Sequence, residues 1–189
     1  MDIIRKSILI LASFLVLAAP AFSQDKEDDN IVLWSADRKL SLDDFGIKTK
    51  NMESGATSAQ FMVDYKISGL NFLTKNFNKK VRNYMIIPAS QIDTTGNAPV
   101  YLLYQQTLFD LCEIYTRQFR KALRENRKKL LKSTAIAEDL NQEIMTAYAL
   151  RRGQYTQETN AANNPVKQKE WQLQIAKELE ELADFAYEK

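Results

Sequence analysis

The residues able to do chemistry in this chain are carboxylates, amides and a single thiol, because its 189 residues include no histidine. Without an imidazole, a Ser-His-Asp triad, an imidazole-activated cysteine and a histidine-ligated zinc ion are all excluded. Cys112 is the one cysteine, so no internal disulfide can form. We expect its side chain to be a small buried helix residue, because a reactive thiol would lack an activating base.

Three carboxylates, Asp110, Glu113 and Glu158, are candidate ligands of a hard cation such as Ca²⁺ or Mg²⁺. A hydrolase that uses such a non-zinc, carboxylate-based site is therefore one candidate function. The spacing of the three shows no recognisable ligand loop, which favours helix-surface or structural hydrogen-bonding roles. We accordingly predict no cofactor and treat the same residues as a possible binding surface.

The elements that must position these residues change in character near Val100. Before it, short apolar or alternating runs predict strands at Ile31–Trp34, Thr57–Ser68 and Val81–Ile87. Leu40–Phe45 is typical of a turn or a single helical turn, and residues 93–99 of a loop. On Thr57–Ser68 the alternation predicts one buried face, made of Phe61, Val63, Tyr65 and Ile67.

After Val100 the sequence predicts three long helices. Apolar residues at steps of three and four predict a helix from Val100 to about Lys132, along one stripe made of Tyr104, Leu108, Leu111, Tyr115, Phe119 and Ala122. Ser133 or Thr134 is expected to cap a second helix that Gly153 ends. After a loop over residues 154–164, Pro165 begins a third helix, which reaches Tyr187 and buries Trp171, Ile175, Leu179, Leu182 and Phe185. Trp34 and Trp171 are expected to be core anchors.

Strands first and helices afterwards predict an α+β fold, with a small N-terminal β-sheet followed by three long helices. Residues 31–189 form a single predicted domain, preceded by a flexible, charged lead-in over residues 24–30.

Residues 1–23 have the layout of a secretory signal peptide: a basic start, an apolar run, and the small-x-small pattern Ala21-Phe22-Ser23. The apolar run of about a dozen residues is too short to span a bilayer. We therefore predict an exported chain, periplasmic or secreted, which begins at Gln24 and has no stable membrane span after cleavage.

The total charge is close to neutral. The whole chain carries +2, and the mature chain about +1 once Asp2, Arg5 and Lys6 are removed. This balance gives no electrostatic case for nucleic acid or for an anionic membrane surface. The basic stretch Arg117–Lys132, which includes the candidate binding residues Arg124 and Lys128, is expected to be a solvated helix face, with an anionic partner as the alternative.

Three segments together resemble a known family. Trp34–Phe45, Leu102–Leu123 and Tyr155–Trp171 are similar, in order and spacing, to the domain of unknown function described as predicted secreted zinc-dependent proteases, common in exported proteins of Bacteroidetes. The resemblance covers about Ile31 to Tyr187 and implies a zincin-like domain.

In that family the long helix carries H-E-x-x-H followed by F-D, and a later loop carries E-T-x-H-G ahead of Q and W. With Phe109-Asp110 as the anchor, the two histidine positions fall on Tyr104 and Leu108, and the glutamate position on Gln105. With Glu158-Thr159 as the anchor, the loop histidine falls on Ala161, while Gln168 and Trp171 match. The resemblance thus implies a catalytically inactive relative, acting as a binding or structural module for an envelope or extracellular protein or peptide.

Overall fold

The structure, a computed structural model, describes residues 28–52, 55–66 and 78–187. The predicted signal peptide, most of the lead-in, and Ile67 and Ser68 of the predicted strand lie outside these residues. Among the described residues, no helix is long and apolar enough to cross a membrane. The predicted class is confirmed at the level of an α+β chain with a small N-terminal sheet region followed by helices.

The N-terminal region contains two small sheets. The first is antiparallel and has the order β1 (Ile31–Leu33), β5 (Val81–Ile86), β4 (Phe61–Tyr65), with Val32 opposite Met85. In the second, β6 (Gln91–Asp93) lies between β2 (Ile47–Thr49), which is parallel to it, and β3 (Thr57–Ser58), which is antiparallel.

The predicted strand at Thr57–Ser68 was wrong as a single element, because the chain changes sheets within it. β3 pairs with β6, whereas β4 pairs with β5. At the change, the backbone N–H of Gln60 donates to Ser90 Oγ (3.1 Å), and the Gln60 carbonyl accepts from Ile86 N (2.9 Å). Sequence reasoning also missed β2 and β6, whereas the single helical turn expected within Leu40–Phe45 is present at Leu42–Asp44.

The long helices are present with different ends. α1 spans Ala98–Glu125 and not 100–132; at its end the Asn126 side-chain amide donates to Ala122 O (2.9 Å), and the short α2 follows at Arg127–Leu130. α3 spans Ala135–Thr159 and α4 spans Pro165–Glu181, followed by a turn at Ala183–Phe185 instead of continuing to Tyr187.

Gly153 does not end its helix, contrary to the sequence-based prediction. α3 continues for six more residues because Tyr155 and Thr159, both 0% exposed, bury its last turns. The cap is instead Asn160, whose φ of 49° lies in the left-handed region. A left-handed residue after the last turn is a common helix end, and asparagine tolerates it.

α1 is the central element of the core. The predicted stripe is confirmed at Leu108, Leu111, Tyr115 and Phe119, which are all buried, whereas Tyr104 and Ala122 are half-buried. Of the stripe predicted for α4 and its extension, Trp171 and Ile175 are buried. Leu179, Leu182 and Phe185 are half-buried.

The basic stretch on α1 is not a uniformly solvated face, because two of its arginines point into the core. Arg117 and Arg120 are 5% and 0% exposed, and both donate to Oε1 of the buried Glu113 (3.1 and 2.7 Å). Arg120 also donates to the carbonyls of Val81 and Phe185, at 2.8–3.1 Å. This ion cluster therefore ties α1 to the start of β5 and to the C-terminal turn.

Asp93 gives the second sheet a predicted acid sensitivity. Its carboxylate accepts from Met52 N (2.6 Å), from the hydroxyl and backbone N–H of Thr95 (both 2.7 Å) and from Gly96 N (3.1 Å), and these bonds lower its pKa from 3.8 to about 2. A lowered folded-state pKa stabilises the fold above pH 3.8, and that stabilisation is lost as the pH falls towards 2.

We expect Asp93→Asn to remove this part of the pH dependence of the free energy of urea unfolding. Identical profiles for the variant and the wild type would contradict the assignment.

Candidate functional site

The face of α1 that carries Tyr104 and Leu108, the positions that the resemblance aligns with the two helix histidines, is packed against α3. The Tyr104 ring stacks on Tyr155, with centroids 5.7 Å apart and an interplanar angle of 14°. Leu108 is 0% exposed and belongs to the same apolar cluster as Tyr155 and Trp171. Side chains therefore fill the volume beside Leu108, where the family would hold a metal.

The resemblance aligns two further positions, Gln105 and Ala161, with the family's motifs. Gln105 is 2% exposed, and its Oε1 has no hydrogen-bond partner within the described part of the chain; its amide has no ionisable group to act as a general base. Ala161 lies in the left-handed turn after α3, with φ of 50°. Its backbone N–H donates to Thr156 O (2.9 Å), and Thr156 Oγ1 lies 2.9 Å from Tyr104 Oη, so both positions contact the same threonine.

A buried hydrogen-bond chain joins the three long helices behind this face. Tyr155 Oη donates to Gln168 Oε1 (2.8 Å), and Gln168 Nε2 donates to Thr107 Oγ1 (2.9 Å). Sequence reasoning noted Gln168 but missed Tyr155 and Thr107. A signal for Tyr155 existed, since it lies seven residues after Tyr148 and so continues one helical stripe past Gly153.

The three candidate carboxylates do not form a common site. Glu113 is 1% exposed and holds the two buried arginines, so it is not part of a binding surface, contrary to expectation. Asp110 Oδ1 accepts the indole N–H of Trp34 (2.9 Å), and Glu158 Oε2 accepts that of Trp171 (2.9 Å). In the described ranges no group of three or more His, Cys, Asp or Glu side chains could hold a metal ion.

The two tryptophans are core residues, as predicted, with exposures of 5% for Trp34 and 6% for Trp171. Each buries its ring and satisfies its N–H with a carboxylate. Asp110 and Glu158 thus have structural roles. Glu158, Arg124 and Lys128 remain exposed, and Asp110 is partly so.

Asp110 also lies on the wall of a cleft of about 440 Å³ between the segment after β1, α1 and α4. Its apolar surface comes from Trp34, Ile175, Ala176 and Leu179, and its polar surface from Lys39, Thr107, Asp110, Arg117, Gln172 and Glu180. A cleft lined by both apolar side chains and hydrogen-bonding groups can hold a ligand that offers both.

The charges in this cleft are arranged around Trp34. Its ring lies under the guanidinium of Arg117, 5.1 Å from the centroid. Burial raises the pKa of the Asp110 carboxyl, against the opposing effects of Lys39, of the Trp34 indole and of Gln106. Asp110 Oδ1 accepts from Trp34 Nε1 (2.9 Å) and Gln106 Nε2 (2.8 Å), whereas Oδ2 faces Lys39 Nζ at 3.9 Å, which is too far for a hydrogen bond.

A second groove, of about 520 Å³, runs between α1 and α3 beside Tyr104. It is lined by Tyr104, Tyr148, Ala149, Arg152, Gly153, Thr156 and Gln157. A Cβ added at Gly153 would meet no atom within 4 Å, which shows how open this groove is. It contains no carboxylate and offers less varied chemistry than the cleft at Asp110.

Cys112 is buried and free, as predicted. Burial and then the charge of Glu113 raise the pKa of its thiol to about 12. We therefore expect a thiol-labelling disulfide reagent to react very slowly with the folded chain at about pH 8. Labelling should be complete once urea unfolds the chain and exposes Cys112. Labelling of the folded chain as fast as free cysteine would show that Cys112 is accessible.

The chain matches no protein-family model, no curated protein and no solved structure. What it does must therefore be inferred from its own residues and their geometry.

Proposed function

We propose that this chain is an exported, catalytically inactive relative of the secreted zinc metalloproteases, with a zincin-like fold, that acts as a binding module in the cell envelope. The observation that carries the proposal is the packing of Leu108 into the core, beside Tyr104 stacked on Tyr155, in a chain without histidine. A relative that has lost its metal ligands can still bind a partner through the shape and chemistry of its surface.

The proximity of the matched positions supports the relationship. The resemblance requires the helix position of Tyr104 and the loop position of Ala161 to lie side by side, although they are 57 residues apart in the chain. Both contact Thr156, Tyr104 through its hydroxyl and Ala161 through its backbone N–H. A sheet region that precedes the long helix is also what a zincin-like domain needs.

A hydrolase with a carboxylate-based site has less support. Glu113 is fully engaged by two arginines and by Asn83 Nδ2, which lies 3.2 Å from Oε2. Asp110 and Glu158 each serve a different tryptophan. A general base must reach a water or substrate with a free carboxylate, and of these three candidates Asp110 alone lines the cleft.

The cleft at Asp110 is the binding site that we assign to this module. Its apolar floor, made by Trp34, Ile175 and Leu179, suits an apolar side chain, and Asp110 Oδ2 can accept a hydrogen bond from the backbone N–H or the amine beside it. A segment of peptide offers both groups. We therefore propose a protein or peptide partner of this composition.

Site-specific photo-crosslinking in the native host tests this assignment. A photoreactive residue at Gln172, half-buried on the cleft wall, is expected to capture a discrete partner. Ala176→Trp should abolish the crosslink, because Ala176 is exposed and its enlargement fills the cleft without touching the core.

Ala149→Trp is the matched control, since Ala149 is also an exposed helix alanine but lines the α1–α3 groove instead. It should leave the crosslink at Gln172 intact. If Ala149→Trp abolishes the crosslink and Ala176→Trp does not, the binding site belongs in the groove; if neither does, the assignment of the cleft fails.

A further inference from the structure

The total charge of the chain is near neutral, but basic and acidic residues are unevenly distributed over its surface. Eight exposed basic residues gather at one end of the molecule, and we call them the basic end: Lys66, Lys79, Lys80, Arg124, Arg127, Lys128, Lys129 and Lys132. Four acidic residues, Glu125, Glu138, Asp139 and Asp184, lie on these segments or on the adjoining start of α3 and C-terminal turn, and Asp64 is paired with Arg82, so this end carries a net charge of about +4. Since the whole chain carries +2, the rest of it is net negative.

Three separate segments build the basic end. Lys66 N donates to Lys80 O (3.1 Å), which joins the end of β4 to the start of β5. Arg124 Nη2 donates to Asn78 Oδ1 (3.2 Å), which joins the end of α1 to the same place. Leu130 of α2 is buried in one apolar cluster with Val81, so the lysines that precede these two residues lie around a shared core.

The basic residues are exposed and have no acidic partner in the part of the chain that the structure describes. Within residues 28–52, 55–66 and 78–187, none of the eight forms an ion pair with a carboxylate, whereas Arg82, Arg151, Lys48 and Lys167 do. Six of the eight are lysines. A lysine ammonium is a hydrated point charge that needs no fixed acceptor geometry, unlike the fork of an arginine.

An exposed leucine lies among these charges. In the run Lys128-Lys129-Leu130-Leu131-Lys132, Leu130 is buried, whereas Leu131 is 48% exposed. Most of the surrounding cations are lysines, and the nearby Phe185 ring is already covered by the Arg124 guanidinium (4.6 Å), so little in the described residues here would read the bases of a nucleic acid. Lysines that surround a protruding leucine are instead the combination that contacts phosphate headgroups and the acyl boundary beneath them.

We propose that the basic end docks the mature chain on an anionic phospholipid surface, with lysines on the lipid phosphates and Leu131 entering the interface. The expectation from total charge, which gave no case for such a surface, is thereby revised, because local charge and not the sum governs attraction within a Debye length. The inference does not depend on the lost metal site or on the cleft.

Vesicle co-sedimentation of the mature chain tests the proposal, with phosphatidylglycerol vesicles compared against phosphatidylcholine vesicles. Binding should be confined to the anionic vesicles and should be lost at high salt. The triple variant R127E/K128E/K129E should weaken binding on the order of a hundredfold, since each surface cation contributes about a fivefold gain in affinity. These three positions are preferable to Arg124, which also holds Asn78 and lies over the Phe185 ring.

K50E/K169E/K177E is the matched control, because it makes the same change in total charge at exposed lysines of other segments; it should keep most of the binding. Leu131→Ser should weaken binding several-fold without changing its salt dependence. Equal binding to neutral vesicles, or an equal loss in the control, would overturn the proposal. Binding of a random DNA duplex that is sensitive to the triple variant, with no binding to vesicles, would assign the basic end to nucleic acid instead.

Discussion

Replacing Glu113 with glutamine is expected to lower the free energy of unfolding by about 3–5 kcal/mol. Glu113 Oε1 accepts from Arg117 Nε and Arg120 Nη1, and Oε2 accepts from Asn83 Nδ2. Arg117 and Arg120 are nearly without solvent, so neutralising Glu113 leaves two buried positive charges without their counter-ion. An amide would also turn an N–H group towards these donors.

Urea unfolding followed by circular dichroism measures this loss, and Asp64→Asn is the matched control. Asp64 pairs with Arg82 at 2.7 Å on the sheet, but both side chains are about one third exposed. Its neutralisation is expected to cost no more than about 1 kcal/mol, because solvent screens an exposed pair. Similar losses in the two variants would mean that the Glu113 cluster is open to water.

Replacing Leu108 with histidine is expected to cost about 3 kcal/mol or more, with no recovery on addition of zinc. Leu108 is 0% exposed among Leu111, Ile114 and Trp171. An imidazole there loses apolar contacts and buries ring nitrogens with no partner. A histidine at this position is therefore expected to be harmful, because the space around Leu108 is filled by core side chains.

Thermal melting with and without zinc measures this effect, and Leu108→Met is the matched control. Methionine conserves volume and apolar character, so its cost should stay below about 1.5 kcal/mol. A Leu108→His variant as stable as Leu108→Met, or one whose melting midpoint rises with zinc, would show that the face is still open.

The elements with strong periodicity could be predicted from the sequence, and the short ones could not. α1 follows from the spacing of Leu108, Leu111, Tyr115 and Phe119, because a helix buried along one stripe must repeat apolar residues at that step. β2 and β6 have three residues each, which is too few to show alternation. Gly153 does not end α3, because the burial of Tyr155 outweighs the modest free-energy cost of one helical glycine.

At the candidate site, the sequence predicts which residue types are present better than it predicts which side chains point into the core. The lack of histidine, the buried Cys112 and the two tryptophan anchors follow from composition and local context. The burial of Arg117 and Arg120 was missed because a basic run does not show which of its members point inward. A signal was present, since Glu113, Arg117 and Arg120 are spaced at i, i+4 and i+7 on one helical face.

The zinc content of the purified mature chain tests the central claim most directly. The chain is incubated with excess zinc, freed of unbound metal, and examined by elemental analysis. We predict far less than one zinc ion per chain, because the chain has no histidine and the face matched to the zinc helix is filled by Tyr104 and Leu108. Zinc near one per chain would contradict the account of an inactive metalloprotease relative.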